Sequence, residues 1–140
     1  MRYVVALAMM FCSSAFAQSA ADRVFSLNAK GMQYVDLCVL IGQNHILKIR
    51  NNGVSDNAIG ECIVNGKSMV AVDHAKVKES FSGKPEQLRL LKEWYIEWQS
   101  MLEATEPSST ENEFRYTQRI NDAIRQFAKV SKKVQMSLDD

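Results

Sequence analysis

Cys38 and Cys62 stand at equal distances on either side of the turn-forming stretch that starts at Arg50-Asn51-Asn52-Gly53, so a chain that folds back there sets the two thiols opposite each other. Both flanks carry apolar residues at helical spacing, and the predicted unit is a helical hairpin with a disulfide across it. Two thiols persist as a bridge in an oxidising compartment, and the first residues supply a route to one. The free amine with Arg2, the apolar run Val4 to Cys12 and the small-residue pattern Ala15-Phe16-Ala17 have the three parts of an export signal. The apolar run is about half of the ~20 residues that a spanning helix needs. Met9-Met10-Phe11 lacks the small residue that lipid attachment at Cys12 would require. The expectation is a signal peptide over residues 1–17, cleaved after Ala17, and a single helical domain over residues 18–140 that is periplasmic or secreted.

Loss of the leader removes Arg2 and Cys12. Basic and acidic residues are then equal in number and two cysteines remain, both available to one bridge. A neutral mature chain lacks the positive field that nucleic acids or an anionic membrane surface would select, so neither is an expected partner. Nothing after the leader is long and apolar enough to predict a transmembrane segment.

Four helical segments are predicted. The first runs from Ala21 to about Ile49, with Phe25, Met32, Val35, Val39, Ile46 and Ile49 in phase and Leu37, Cys38, Leu40 and Ile41 widening the apolar stripe as a central helix would require. The second starts at an N-cap near Asp56 and carries Ile59, Ile63, Gly66, Val70, Asp73, Val77 and Phe81 at steps of three and four until Gly83 ends it. Pro85 opens the third, which continues to about Ala104. Thr110-Glu111-Asn112-Glu113 has the pattern of a capping box for the fourth, with Lys129, Lys132 and Lys133 towards its far end. The fold class expected is all-α, a small four-helix bundle-like domain with a disulfide-linked N-terminal hairpin. Residues 61–72 admit a second reading, because Asn65-Gly66 is a favoured hairpin turn between two apolar flanks. Ile63-Val64 and Met69-Val70-Ala71-Val72 do not alternate, however, and the helical step continues to Phe81, which favours helix.

With the hairpin folded about residue 50, Cys38 meets Cys62, Tyr34 lies over Gly66 and Gly42 falls near Ala58. A glycine inside a helix costs roughly 1 kcal/mol relative to alanine, so Gly31, Gly42, Gly60 and Gly66 imply close helix approach. The same register separates His45 from His74 by roughly 28 Å at ~1.5 Å per residue. They cannot share a metal, and with both thiols consumed no four-ligand set remains. Each histidine is expected to be a partly exposed helix residue. Glycine-rich phosphate loops and a nucleophile elbow are missing, and Glu86, Glu93 and Glu97 read as a solvated flank. No catalytic residue, metal or cofactor is predicted.

The last two helices carry the candidate surface. Leu88, Leu91, Trp94, Tyr95, Trp98, Met101 and Leu102 form one broad apolar face, expected to be mostly core, and Ile96 falls outside it as an exposed apolar residue. On the fourth helix Tyr116, Ile120, Ala123, Ile124, Phe127, Val130 and Val134 oppose Arg115, Arg119, Arg125, Lys129, Lys132 and Lys133, with Phe114 and Met136 on or near the basic side. Such a strip can steer an acidic partner, with Phe114, Met136 and Ile96 as apolar contacts. The reading favoured over this is a solvated face balanced by Glu86, Glu93 and Glu97 on the neighbouring helix. The layout of signal peptide, small helical domain and one disulfide resembles that of several kinds of exported bacterial protein, including periplasmic immunity proteins against secreted cell-wall toxins. The function expected is a non-enzymatic protein-binding module of the inhibitor or immunity type, its partner another exported or envelope protein, with a homodimer also admissible. The alternative is a helical carrier of a small apolar or lipidic ligand.

Overall fold

The structure is a computed structural model that describes residues 19–52 and 57–138. The leader with its cleavage point, and Gly53 and Asp56 of the first turn, lie outside the described residues. Four helices follow in order: α1 (Ala20–Asn52), α2 (Ala58–Ser80), α3 (Pro85–Glu103) and α4 (Glu113–Met136). The region around Asn65-Gly66 lies inside α2, and among the described residues there is no strand. The domain is the small all-α bundle that the periodicity predicts.

Local chemistry explains most of the boundaries. Ser19 and Asp22 cap α1 reciprocally: the Ser19 hydroxyl accepts from the Asp22 amide at 3.0 Å, and the Asp22 carboxylate accepts from the Ser19 amide at 3.1 Å. α1 continues through Asn51 and Asn52, past the expected stop at Ile49, and Asn57 rather than Asp56 occupies the N-cap of α2. Gly83 holds a φ of 77°, a left-handed conformation that lets the chain reverse between α2 and α3. Pro85 then starts α3, where its missing amide costs nothing. The capping box expected from Thr110 does not form, and a single side-chain cap two residues on replaces it. Asn112 is the N-cap of α4, and its side chain accepts from the Arg115 amide at 2.9 Å.

α1 and α3 each touch all three other helices, while α2 and α4 do not meet, so the α1–α2 and α3–α4 hairpins pack against each other mainly along α1 and α3. Val24, Leu27, Val35 and Cys38 of α1 are buried with Ile59, Ile63, Val70 and Val77 of α2 and with Trp94, Trp98, Met101, Leu102, Phe127, Val130 and Val134. Cys38 and Cys62 form the expected disulfide, with Cα atoms 5.7 Å apart. Lys30 pairs with Asp73 at 2.8 Å and Arg23 donates to the Ser80 hydroxyl at 2.9 Å, which ties the other end of the hairpin.

Close approach accounts for two glycines of α1. A Cβ on Gly31 would lie 2.8 Å from Trp98 Nε1, which donates to the Gly31 carbonyl at 3.0 Å. At Gly42 the atoms nearest to an added Cβ are not those of the facing helix α2. This glycine admits the Tyr116 hydroxyl and the Thr105 carbonyl, which come from the far hairpin. Gly60 departs from the expectation too, since a Cβ there would meet only the Asn57 side chain.

The phase of α1 also differs from the sequence reading. Phe25 is 72% exposed, and Leu37 and Leu40 lie on the solvent side. The buried line is Val24, Leu27, Gly31, Val35, Cys38, Gly42 and His45. Small residues on that line let the tryptophans and Tyr116 come in close, so the widest part of the apolar stripe is left facing outwards.

Candidate functional surfaces

The outward face of the disulfide hairpin carries most of the exposed apolar side chains. Leu37, Leu40 and Leu47 recur along α1, and Met69 and Val72 stand one turn apart on α2, each at least 41% exposed. Tyr34, Leu37 and Ile41 line one side of an open groove of about 570 Å³, and Ala58, Asn65, Ser68 and Met69 line the other. Cys62 contributes to its floor, so the bridge fixes the spacing of the two walls. Tyr34 sits against Gly66, where a Cβ would be 3.4 Å from it. Glu61 lies in the groove and Asp36 is exposed on α1, and neither has an ion-pair partner among the described residues. Sequence reasoning placed Leu37 and Leu40 in the core. The available signal was the excess width of the α1 stripe, which is more apolar surface than one helix of a small bundle can bury.

The basic strip of α4 divides into residues with structural partners and residues without. Arg119 is half-buried: its guanidinium pairs with Glu111 at 2.6 Å and donates to the carbonyls of Ala104 and Glu106, clamping the α3–α4 connection. The Arg119 hydrogen bond holds the Glu111 carboxyl below the usual carboxylate range. Tyr116 lies under the same guanidinium, 5.5 Å from ring centroid to Cζ, and donates to the Thr105 carbonyl at 2.9 Å; burial pushes its phenol up to about 12. Arg125 pairs with Asp122 at 2.5 Å. Arg115, Lys129, Lys132 and Lys133 are exposed, as are Phe114 and Met136, and Ile96 is half-exposed on α3. Glu86 and Glu93 bind Arg89 of their own helix and do not reach α4.

A second cleft opens between α2 and α3, about 600 Å³ in volume, where His74, Lys78, Arg89 and Lys92 surround Pro85, Leu88 and Leu91. The His74 ring stacks on Tyr95 with centroids 4.2 Å apart, and its Nε2 is buried without a hydrogen-bond partner. Burial, and then the charge of Lys78, hold the imidazole below its ordinary range against the pull of the Leu91 carbonyl. His45, expected at the surface, is 9% exposed on the inner line of α1. Among the described residues no three His, Cys, Asp or Glu side chains gather where they could hold a metal, and no helix is long and apolar enough to cross a membrane.

Comparison with protein-family models, with curated proteins and with solved structures returns no match.

Proposed function

We propose that the protein is a non-enzymatic binding module that works outside the cytoplasm, and that it docks an amphipathic helical segment of another exported or envelope protein on the outward face of the α1–α2 hairpin. The observation that carries this reading is the groove lined by Leu37, Ile41 and Met69 between two disulfide-linked helices, which also expose Leu40 and Val72. Apolar patches of this kind on a small domain mark association sites, and a groove between two helices suits the apolar side of a third. Asp36 and Glu61 favour basic flanks on that partner. The disulfide supports an oxidising compartment, as does the leader. A carrier that encloses its ligand would need an internal cavity, whereas the α1–α2 groove and the α2–α3 cleft are both open. The basic strip of α4 is the other candidate surface, and its exposed members Arg115, Lys129 and Lys132 remain available to an acidic partner.

Site-specific photocrosslinking in the producing cell tests the docking face. A crosslinker at Leu40 or Val72 should give one discrete adduct, and Met69→Asp should remove it. Adducts formed only from Phe114, Lys129 or Ile96 would move the interface to the α3–α4 hairpin. Adducts only of doubled mass would make the occupant a second copy. Absence of adducts from every position would refute the binding reading.

A further inference from the structure

The α2–α3 cleft lies apart from the docking groove and shares none of its lining residues. Its origin is local. α2 ends at Ser80, Gly83 reverses the chain, and Pro85 starts α3 at the mouth of the corner. The two helices diverge from that corner with Leu88 and Leu91 as an apolar floor, and His74 closes one wall with its ring fixed against Tyr95.

The rim is basic. Lys78, Arg89 and Lys92 line the cleft and no acidic side chain does. Arg89 is engaged by Glu86 at 2.6 Å and by Glu93, which fixes its position and offsets its charge. Lys78 and Lys92 have no ion-pair partner among the described residues, so two cations remain uncompensated over an apolar floor. The volume lies within the ~300–1,000 Å³ typical of small-molecule sites.

We infer that this cleft is a binding site for a small amphipathic carboxylate, whose anionic head sits between Lys78 and Lys92 and whose aliphatic body covers Leu88, Leu91 and Pro85. A medium-chain fatty acid carries both parts. A purely inorganic anion would leave the apolar floor wet, and a neutral alkyl chain would leave the lysines unpaired. The site stands independently of which partner the hairpin docks.

The probe is decanoate below its micelle concentration, titrated into the purified protein and followed by calorimetry and by NMR of the His74 ring and the Leu88 and Leu91 methyls. Saturable one-to-one binding is expected, with shifts confined to these residues. Decanamide and inorganic phosphate should bind at least tenfold more weakly. Lys78→Glu combined with Lys92→Glu should weaken decanoate by tenfold or more while the far-UV spectrum is unchanged. If the double variant does not fold, the wild-type shift map and the decanamide comparison decide the question. No saturable binding, binding equal for decanoate and decanamide, or shifts at Leu37 and Met69 instead would overturn the assignment. So would attachment to phosphatidylglycerol vesicles without binding of monomeric decanoate, since that is a surface effect.

Discussion

Replacing Gly42 with alanine sets two opposed effects against each other. In an isolated helix the change should stabilise by about 1 kcal/mol, because alanine loses less backbone freedom on folding. In this fold the new methyl would stand 2.7 Å from the Thr105 carbonyl oxygen and inside contact distance of the Tyr116 hydroxyl, two atoms already hydrogen-bonded to each other at 2.9 Å. Forcing a methyl into a filled site costs roughly 1–3 kcal/mol. Prising Tyr116 from Thr105 where both are buried adds about 1–3 kcal/mol. The net expectation is a loss of about 3 kcal/mol, or roughly 10 °C in melting temperature for a domain of this size. Gly60→Ala is the internal control, since its Cβ would meet only the movable side chain of Asn57 and should be neutral or raise stability by up to about 1 kcal/mol. Combining Gly42→Ala with Tyr116→Phe removes the nearest obstructing atom, so the double variant should be more stable than the two single losses summed. Thermal melts followed by circular dichroism compare the wild type with Gly42→Ala, Gly60→Ala, Tyr116→Phe and the double variant. If Gly42→Ala stabilises as much as Gly60→Ala, the approach of the far hairpin to α1 is not as described and the reasoning fails.

Three further expectations follow from the same packing. Asn28 Oδ1 accepts from Trp94 Nε1 at 3.3 Å and from the Ser131 hydroxyl at 2.9 Å, so Asn28→Ala should cost about 1–3 kcal/mol in denaturant titration, and Asn28→Asp, which keeps the acceptor, should cost less. The Cys38–Cys62 bridge spans a sequence separation of 24, so Cys38→Ser should lower stability by about 3–4 kcal/mol in the chain-entropy model, and peptide mapping without reductant should recover the linked pair from the wild type. Because His74 binds its proton less readily in the folded chain than an ordinary histidine, which titrates near 6.5, the unfolded chain takes up more protons as the medium is acidified. Its contribution is therefore intact above that value and is lost as pH falls through the folded pKa. His74→Gln should flatten this part of the curve of melting temperature against pH, and an unchanged curve would remove His74 as a cause.

What the residues alone determined is whatever depends on near neighbours in the chain. Helical periodicity, Gly83 at the reversal and Pro85 at a first turn marked the helices, and the placement of Cys38 and Cys62 about one turn gave the hairpin and its bridge. Even Asn65-Gly66 is legible as helix, because the spacing of apolar residues on both sides keeps one phase. The tertiary structure decided which part of an apolar stripe is covered. Leu37 and Leu40 are as apolar as the core of α1, yet they face outwards because Gly31 and Gly42 let Trp98 and Tyr116 pack so closely that the helix is fixed at another angle. It likewise made Arg119 a clamp on the Ala104 and Glu106 carbonyls while Lys129 and Lys132, on the same helix, stay in solvent. The sequence pattern cannot separate such cases, because the partners lie a hairpin away. Burial is a property of the pair of surfaces that meet, and a single helix states only one of them.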